Sequence, residues 1–304
     1  MKKICVLGIF VADISFYGDS VPELGQTILG SNYNIGPGGK GANQCIAIAR
    51  LGGQVDFITK IGQDDYGQLA LTTFKENKID TKNIIVSKNH QTGVAGIMVN
   101  KNNGRNAVNV INGAPSSLTI KEVLAFKNSI LSADIFLTQL EIPKEVTLHC
   151  LREAKQNNKL TILNPAPASK LEKEFFNYID YFTPNETEAE FYTGIKITKV
   201  EEAKVAANKI LALGVKHAII TLGEKGVFYS DGRSELYVEA AKSIKAIDTT
   251  GAGDAFNGAF SFSLAQNSSI EEAIKFANHY AGKSTEKIGA GNAMPFKKDL
   301  IKNL

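Results

Sequence analysis

Two patterns of apolar and polar positions divide the chain. From residue 116 to residue 222, short apolar runs alternate with longer segments whose apolar residues recur at helical spacing. This alternation is typical of an α/β fold, in which a parallel sheet carries helices on both faces. The strands and helices predicted there are 120–131, 135–140, 144–156, 160–163, 178–183, 186–193, 200–213 and 217–222.

The apolar run at residues 4–12 predicts the first strand of that sheet, because strands buried on both faces are continuously apolar. Met1, Lys2 and Lys3 give the start of the chain some likeness to a signal peptide. Asp13 interrupts the apolar run, however, and no small-residue cleavage site follows. We therefore expect a buried strand in a cytoplasmic protein.

Two other regions show the period-two alternation of half-buried strands. Residues 14–17 and 28–35 form the first region, and the stretch from 84 to 111 forms the second. We expect both to be insertions, at about 12–36 and 84–112, in a single domain that spans residues 1–304. We also expect them to join in one thin sheet, separate from the main sheet.

Composition narrows the possible partners. The 304 residues carry a formal net charge of +3, and the charges are spread along the chain, so neither a nucleic-acid partner nor a membrane partner is predicted. Cys5, Cys45 and Cys150 have no metal-type spacing, and the four histidines are scattered. We therefore expect buried free thiols and no histidine metal site.

The segment at residues 247–260 carries the strongest chemical signal. Gly251 and Gly253 precede a run with the composition of a buried helix, and backbone N–H groups at such a helix start can bind an anion. Asp254 stands in the first turn, where it could accept the proton of an attacking hydroxyl during phosphoryl transfer. The alternative is that Asp254 only serves the helix dipole, and this segment alone does not decide between the two.

Polar residues also follow several predicted strands. They are Glu141 and the segments 164–168, 183–188 and 221–226. Ligands bind at the carboxyl ends of the strands in an open α/β sheet, so these residues predict a ligand site along that edge. Taken singly, Glu186 and Glu188 are better explained as acids that favour a helix start. Their recurrence at successive strand ends favours the ligand site.

Residues 36–41 satisfy the glycine fingerprint of dinucleotide-binding proteins, and Asp56 follows at about the expected 20 residues. The fingerprint should come directly after the first buried strand, whereas here it follows one of the inserted segments. A P-loop is also excluded, because Gly41 stands where serine or threonine is needed. The segment is better suited to hydrogen bonding a small hydroxylated molecule, with Lys40 available for a negative charge.

Four segments carry a resemblance to a known family. Residues 38–44 and 248–254 are similar to the two signatures of the ribokinase (PfkB-type) sugar kinases, and residues 164–168 and 184–190 are similar to segments typical of ribokinases. The match runs over nearly the whole chain. It implies a ribokinase-like α/β fold, with a central mostly parallel sheet flanked by helices and a small β-sheet lid made from the two insertions. It also implies a homodimer formed through the lids.

The resemblance implies roles for individual residues. ATP would phosphorylate the primary hydroxyl of a sugar, with Asp254 as the base and the backbone of Gly251, Ala252 and Gly253 as the anion hole. The sugar site would comprise Val11, Asp13, Gly39, Lys40, Gly41, Ala42, Asn43, Glu141 and Asp254. The ATP site would comprise Asn185, Thr221, Leu222, Gly223, Glu224, Lys225, Gly226, Gly253 and Asp254. Glu188 would organise Mg²⁺ through water, and a K⁺ site would include Asp248, Thr250, Ser284, Lys287, Gly289 and Ala293.

Val11 departs from the family pattern, in which an asparagine stands two residues before the sugar-binding aspartate. Without the asparagine, the site loses a hydrogen bond to a sugar hydroxyl, and this bond is worth about 0.5 to 1.5 kcal/mol. We favour D-ribose, phosphorylated on its 5-hydroxyl, as the substrate. A kinase of 2-deoxyribose, of another sugar or of a nucleoside is the alternative. A nicotinamide-dependent oxidoreductase and a non-catalytic sugar-binding protein are the other classes we considered.

Overall fold

The computed structural model describes residues 1–102, 105–240 and 244–301. Within these ranges the strands are β1 (Ile4–Leu7), β2 (Val11–Gly18), β3 (Asn32–Gly38), β4 (Val55–Gly62), β5 (Ile84–Ser87), β6 (Thr92–Asn100), β7 (Asn106–Gly113), β8 (Ile135–Thr138), β9 (Leu160–Leu163), β10 (Tyr181–Phe182), β11 (His217–Thr221), β12 (Val227–Ser230) and β13 (Glu235–Val238). The α-helices are α1 (Lys40–Arg50), α2 (Asp65–Glu76), α3 (Ile120–Leu124), α4 (Lys127–Ser132), α5 (Lys144–Gln156), α6 (Lys173–Phe176), α7 (Glu186–Thr193), α8 (Val200–Ala212), α9 (Ala252–Ala265), α10 (Ile270–Ser284) and α11 (Lys297–Ile301).

The larger sheet has, within the described ranges, nine strands in the order β13-β12-β11-β10-β9-β8-β1-β4-β5. All neighbours from β11 to β5 run parallel, and β12 and β13 are added antiparallel at one edge. Helices α5, α7 and α8 pack on one face, and α1, α2, α9 and α10 pack on the other. Central strand β1 divides its fully buried side chains between both faces. The predicted mostly parallel sheet flanked by helices is confirmed.

The small sheet contains β2, β3, β6 and β7, in the order β3-β2-β6-β7. Strand β2 pairs antiparallel with β3 and parallel with β6, so the two inserted regions do join in one separate sheet. On β2 the residues Asp13, Ser15 and Tyr17 share the face that looks toward the larger sheet, since side chains alternate along a strand. Phe16 lies on the opposite face and is 42% exposed.

Two of the differences from the predicted pattern concern the sheet that a strand joins. The apolar run at residues 4–12 is not one strand: β1 ends at Leu7, and Val11 already begins β2 of the small sheet. Residues 84–87, which we assigned to the second insertion, form β5 and pair with β4 in the larger sheet. A short apolar run looks the same in either sheet, because periodicity does not reveal the strand's partner.

Helices α1 and α9 begin without a side-chain cap, unlike α2, α7 and α10. Helix α10 begins with a capping box between Ser269 and Glu272. Helices α1 and α9 begin instead at Gly39, with φ 88°, and Gly251, with φ 77°, and neither has a side-chain cap. Positive φ values of this kind favour glycine.

In the described parts of the chain, no helix is both long enough and apolar enough to cross a membrane. All three cysteines are buried and free, as the sequence predicted.

Candidate active site

Helices α1 and α9 cross at close range, and this crossing builds the centre of the site. A Cβ atom on Gly258 would lie 2.7 Å from the Ala47 Cβ atom, so only glycine permits the approach. The crossing brings two amide side chains of α1 against Asp254 in the first turn of α9. Asn43 Nδ2 donates to Asp254 Oδ2 at 2.9 Å, and Gln44 Nε2 donates to Asp254 Oδ1 at 3.0 Å. Both carboxylate oxygens are therefore held in place.

Asp254 is 5% exposed, and its environment acts on its charge in two directions. Burial raises its pKa above the ordinary value, while the positive charge of Lys40 and the two amide hydrogen bonds oppose that rise. Burial would lower the pKa of Lys40, but the carboxylates of Asp254, Glu141 and Glu188 raise it overall. Lys40 is therefore a fixed positive charge among three acids.

Asp13 and Glu141 add two further carboxyl groups next to this centre. Burial raises the pKa of Asp13 to about 7, and the charge of Asp254 adds to the rise. Burial likewise raises the pKa of Glu141 to about 7, with Lys40 opposing it. Glu141 Oε2 also accepts the backbone N–H of Lys40 at 2.9 Å. Gly38 makes room for Asp13, because a Cβ there would lie 2.0 Å from the Asp13 Oδ1 atom.

Asn43 presents one more feature that suits a hydroxylated ligand. Its Nδ2 atom is used by Asp254, while its Oδ1 atom is buried without a hydrogen-bond partner. The start of α1, which carries Asn43, is held against the residues that follow β1. Ala42 donates its N–H to the Ile9 carbonyl at 3.0 Å, and Gly41 lies against Gly8. A buried acceptor without a partner indicates a place where a ligand donor could bind.

Val11 lies on the same face of β2 as Asp13, but it is 2% exposed and packs within the apolar core. It is not among the residues that line either of the two cavities at the site. The structure therefore places an apolar side chain next to Asp13 on the same face of β2.

Two cavities meet along the segment 248–251. Asp248 and Thr250 line the first cavity, and Thr249 and Gly251 line the second. The first cavity lies under the small sheet, and its other lining residues include Asp13, Ser15, Tyr17, Asn34, Gly289 and Asn292. The second cavity is bounded by the residues Lys40, Asn164, Ala166, Thr183, Asn185, Glu188, Thr221, Ala252, Gly253, Asp254 and Asn257.

The predicted nucleotide residues divide into two groups. Asn185, Thr221, Gly253 and Asp254 line the second cavity together with Glu188. Asn185 and Glu188 also form the capping box of α7, in which each side chain accepts a backbone N–H of the other.

The remaining predicted nucleotide residues, at 222–226, lie beside the second cavity without lining it. Leu222 is buried, and Gly223, Glu224 and Lys225 form a single 3-10 turn. Lys225 Nζ donates to the Thr198 carbonyl at 2.6 Å. Gly226 follows with φ 107°.

The predicted cation residues divide in the same way. Asp248 joins two loops, since its carboxylate accepts the N–H groups of Thr250 at 2.9 Å and Gly289 at 2.8 Å. These three residues line the first cavity. Ser284, Lys287 and Ala293 do not: the Ser284 hydroxyl donates to the Ala281 carbonyl within α10, and Lys287 Nζ lies 3.8 Å from Asp299. Among the described residues, no cluster of three or more histidine, cysteine or acidic side chains could hold a metal ion.

Sequence reasoning missed the polar amides and hydroxyls behind Asp254. Gln44 touches Asp254 directly, and Asn257 links Gly253 to Thr183 by hydrogen bonds of 2.9 and 2.7 Å. Asn257 stands three residues after Asp254 on the same helix, and this spacing could have identified it. Thr183 belongs to the strand-end segment 183–188 that the sequence predicted for the ligand site, but its hydrogen bond to Asn257 was not predicted.

The parallel sheet with a second sheet over its carboxyl edge, and a buried carboxylate at an uncapped helix start, define the class of small-molecule phosphotransferases. The chain belongs to the pfkB family of carbohydrate kinases, whose sequence profile matches residues 1–297. It is 39% identical to the ribokinase of Haemophilus influenzae over 304 residues, which cover 100% of this chain and 98% of that protein. It is 32% identical to the deoxyribokinase of Salmonella typhi, over 96% of this chain and 95% of that protein.

A solved structure of Arabidopsis thaliana ribokinase complexed with ribose and ATP superposes on this chain with a TM-score of 0.92. The two chains are 28% identical, and the match covers 99% of this chain and 98% of that one. The fold predicted from the sequence and its assignment to the sugar kinases are thereby confirmed.

Proposed function

We propose that the protein transfers the γ-phosphoryl group of ATP to the 5-hydroxyl of D-ribose, giving D-ribose 5-phosphate and ADP. One observation carries the proposal: Asp254, buried and held by two amides, stands at the uncapped start of α9 beside the cavity that Gly251 and Gly253 line. A base next to an open anion site is what phosphoryl transfer to an alcohol requires. The ribokinase relatives support ribose as the sugar.

In the proposed reaction, Asp254 accepts the proton of the 5-hydroxyl while the hydroxyl oxygen forms a bond to the γ-phosphorus. The bond from that phosphorus to the β–γ bridging oxygen breaks, and ADP leaves. Backbone N–H groups of Gly251, Ala252 and Gly253 stabilise the charge on the transferred group, and Lys40 supports them with its positive charge. Asp13, Asn43 and Glu141 bind the sugar hydroxyls, helped by the close backbone of Gly39, Gly41 and Ala42.

Asn185, Thr221 and the turn at 222–226 would bind ATP. Glu188 offers a carboxylate on the second cavity, which suits Mg²⁺ held through water. Mg²⁺ would neutralise phosphate charge. For K⁺, the fit is strongest at Asp248, Thr250 and Gly289, which share the first cavity, and Ser284, Lys287 and Ala293 would contribute only through backbone carbonyls. A bound K⁺ would help to fix the two loops that Asp248 joins.

The small sheet would act as a lid that excludes water from the transferred phosphoryl group. Its outer face exposes apolar side chains, including Phe16, Ile35 and Tyr33 at 42%, 42% and 65%. Apolar surface of this kind is typical of a protein interface. We therefore place the contact of a cytoplasmic homodimer at the lid.

A 2-deoxyribose kinase is the second candidate, and Val11 is the observation that favours it. An apolar side chain next to Asp13 costs less when the sugar lacks the hydroxyl that would otherwise be buried without a partner. The similarity to a deoxyribokinase points the same way. D-Ribose remains the first candidate, because Asp13, Asn43 and Glu141 are all present.

The test measures ADP release with Mg²⁺ and K⁺ over D-ribose, 2-deoxy-D-ribose, D-fructose, fructose 6-phosphate and adenosine. We expect the highest kcat/KM for D-ribose, with the product phosphorylated at the 5 position. A higher kcat/KM for 2-deoxy-D-ribose that reverses in Val11→Asn would establish the second candidate. If folded, ATP-binding protein released no ADP with any sugar or nucleoside of the panel, both candidate functions would be contradicted.

A further inference from the structure

We propose that Gln139 is a positioning residue: it orients Gln44 and, through Gln44, the carboxylate of Asp254. Gln139 follows strand β8 and is 1% exposed. It is not among the residues that line the two cavities. The inference rests on the kinase function proposed above and adds a residue that acts without touching sugar or nucleotide.

The hydrogen bonds run in one direction from Gln139 to Asp254. Gln139 Nε2 donates to Gln44 Oε1 at 2.6 Å. Gln44 Nε2 then donates to Asp254 Oδ1 at 3.0 Å and to Asn164 Oδ1 at 3.2 Å. Both protons of the Gln44 amide are used, and its oxygen accepts from Gln139. If the amide turned over, its oxygen would face two acceptor oxygens, so this orientation is the only satisfied one.

Gln139 itself is left incompletely bonded. Its Oε1 atom is buried without a hydrogen-bond partner. It lies against Gly8 and Gly41, where added Cβ atoms would stand 2.3 and 3.1 Å away from it. A buried acceptor without a partner destabilises a fold, and such groups are uncommon in native proteins. The side-chain bond that Gln139 does make is the one its amide donates to Gln44.

Other charges also act on Asp254, and they come from four different elements. Lys40 of α1 favours its ionised form, whereas Asp13 of β2, Glu141 after β8 and Glu188 of α7 oppose it. These groups act through space and do not fix the direction of the carboxylate. Without the donor of Gln139, Gln44 can rotate away from Asp254, which weakens a bond to the ionised base and misplaces it.

The test is a double-mutant cycle with Gln44→Met, Gln139→Met and the double variant. We expect Gln139→Met to lower kcat about 10-fold and to move the acid limb of the kcat–pH profile upward by about half a unit to one unit. Gln44→Met should do the same more strongly. Because Gln139 acts only through Gln44, the double variant should match Gln44→Met alone. The KM for the sugar should stay nearly unchanged in all three.

The matched control is Asn83→Met, which removes a buried amide that accepts from Ser129 at 3.1 Å, directly before the edge strand β5. Its kcat–pH profile should equal that of the unmodified protein. Additive losses in the double variant would overturn the inference, as would a shift confined to kcat/KM, which would indicate an effect on Glu141. If the unmodified protein phosphorylated no sugar, the proposed function would fail and the inference with it.

If Gln139→Met does not fold, Gln139→Glu gives an independent test. The neutral acid can donate to Gln44 Oε1 as the amide does, but the ionised acid cannot. The variant should therefore lose kcat as the pH rises, along an alkaline limb that the unmodified protein lacks. A profile without that limb would overturn the inference.

Discussion

The starts of helices α1 and α9 share two features but have different surroundings. Each begins at a glycine with positive φ, and neither has a side-chain cap. At α1 the N–H of Lys40 is taken by the Glu141 carboxylate at 2.9 Å. At α9 the residues Gly251 to Gly253 line a cavity instead. The protein supplies its own anion, Glu141, at the start of α1, which suits a site where side chains hold the sugar. The start of α9 faces open space, which suits a site where backbone N–H groups hold the phosphoryl group.

Asp254→Asn breaks the α9 side of this comparison and should have the largest effect. The amide keeps the size of the carboxylate but cannot accept the hydroxyl proton, so kcat should fall about 1,000-fold. Binding of sugar and of ATP, measured by calorimetry, should be largely kept. A kcat above a tenth of the original value would remove Asp254 from the role of base.

Gly253→Ala tests whether the space at the α9 start is needed for a ligand. No atom lies within 4 Å of an added Cβ, so the fold accepts the methyl group, and alanine favours the helix by about 0.5 to 1 kcal/mol. Thermal stability should therefore stay equal or rise. The methyl group would occupy the approach of the phosphates, and kcat/KM for ATP should fall about 100-fold.

The matched control is Gly96→Ala in the small sheet, where an added Cβ also meets nothing within 4 Å. This variant should leave kcat/KM for ATP unchanged. If Gly253→Ala behaved in the same way, the start of α9 would not be the phosphoryl site.

Where the candidate residues are close along the chain, the sequence was sufficient to predict that they lie together. The glycines and acid at 251–254 predicted an anion site beside a base, and the structure brings them to one cavity. The sequence was insufficient to predict hydrogen bonds between residues that are distant along the chain. Gln139 and Gln44 are 95 residues apart and meet only because β8 ends, and α1 begins, at the same edge of the sheet. Residues 84–87 were assigned to the wrong sheet for a similar reason, since a strand's own pattern does not name its neighbour.

Glu141→Gln breaks the α1 side of the comparison and should have a smaller effect. The amide oxygen can still accept the N–H of Lys40, so the helix start stays in place, but the negative charge is lost. Hydrogen bonds from sugar hydroxyls to a neutral acceptor are weaker, and the KM for the sugar should rise about 10-fold. The KM for ATP should not change. An equal rise in both KM values would mean that the change disturbs the whole site.

Asp13 gives a test of stability, not of catalysis, in the protein without ligands. Its pKa is raised from 3.8 to about 7 in the folded state, chiefly by burial. Between these values the unfolded chain is ionised while the folded protein keeps its proton, so the free energy of unfolding falls as the pH rises from about 4 to about 7. Above about 7 both states are ionised and the fall stops.

Asp13→Asn removes the titrating group. Urea unfolding of both proteins at a series of pH values should show the advantage of the original protein over the variant shrinking up to neutrality and then levelling off. A difference independent of pH would mean that Asp13 is already ionised in the free protein and that burial beside Asp254 does not control its charge.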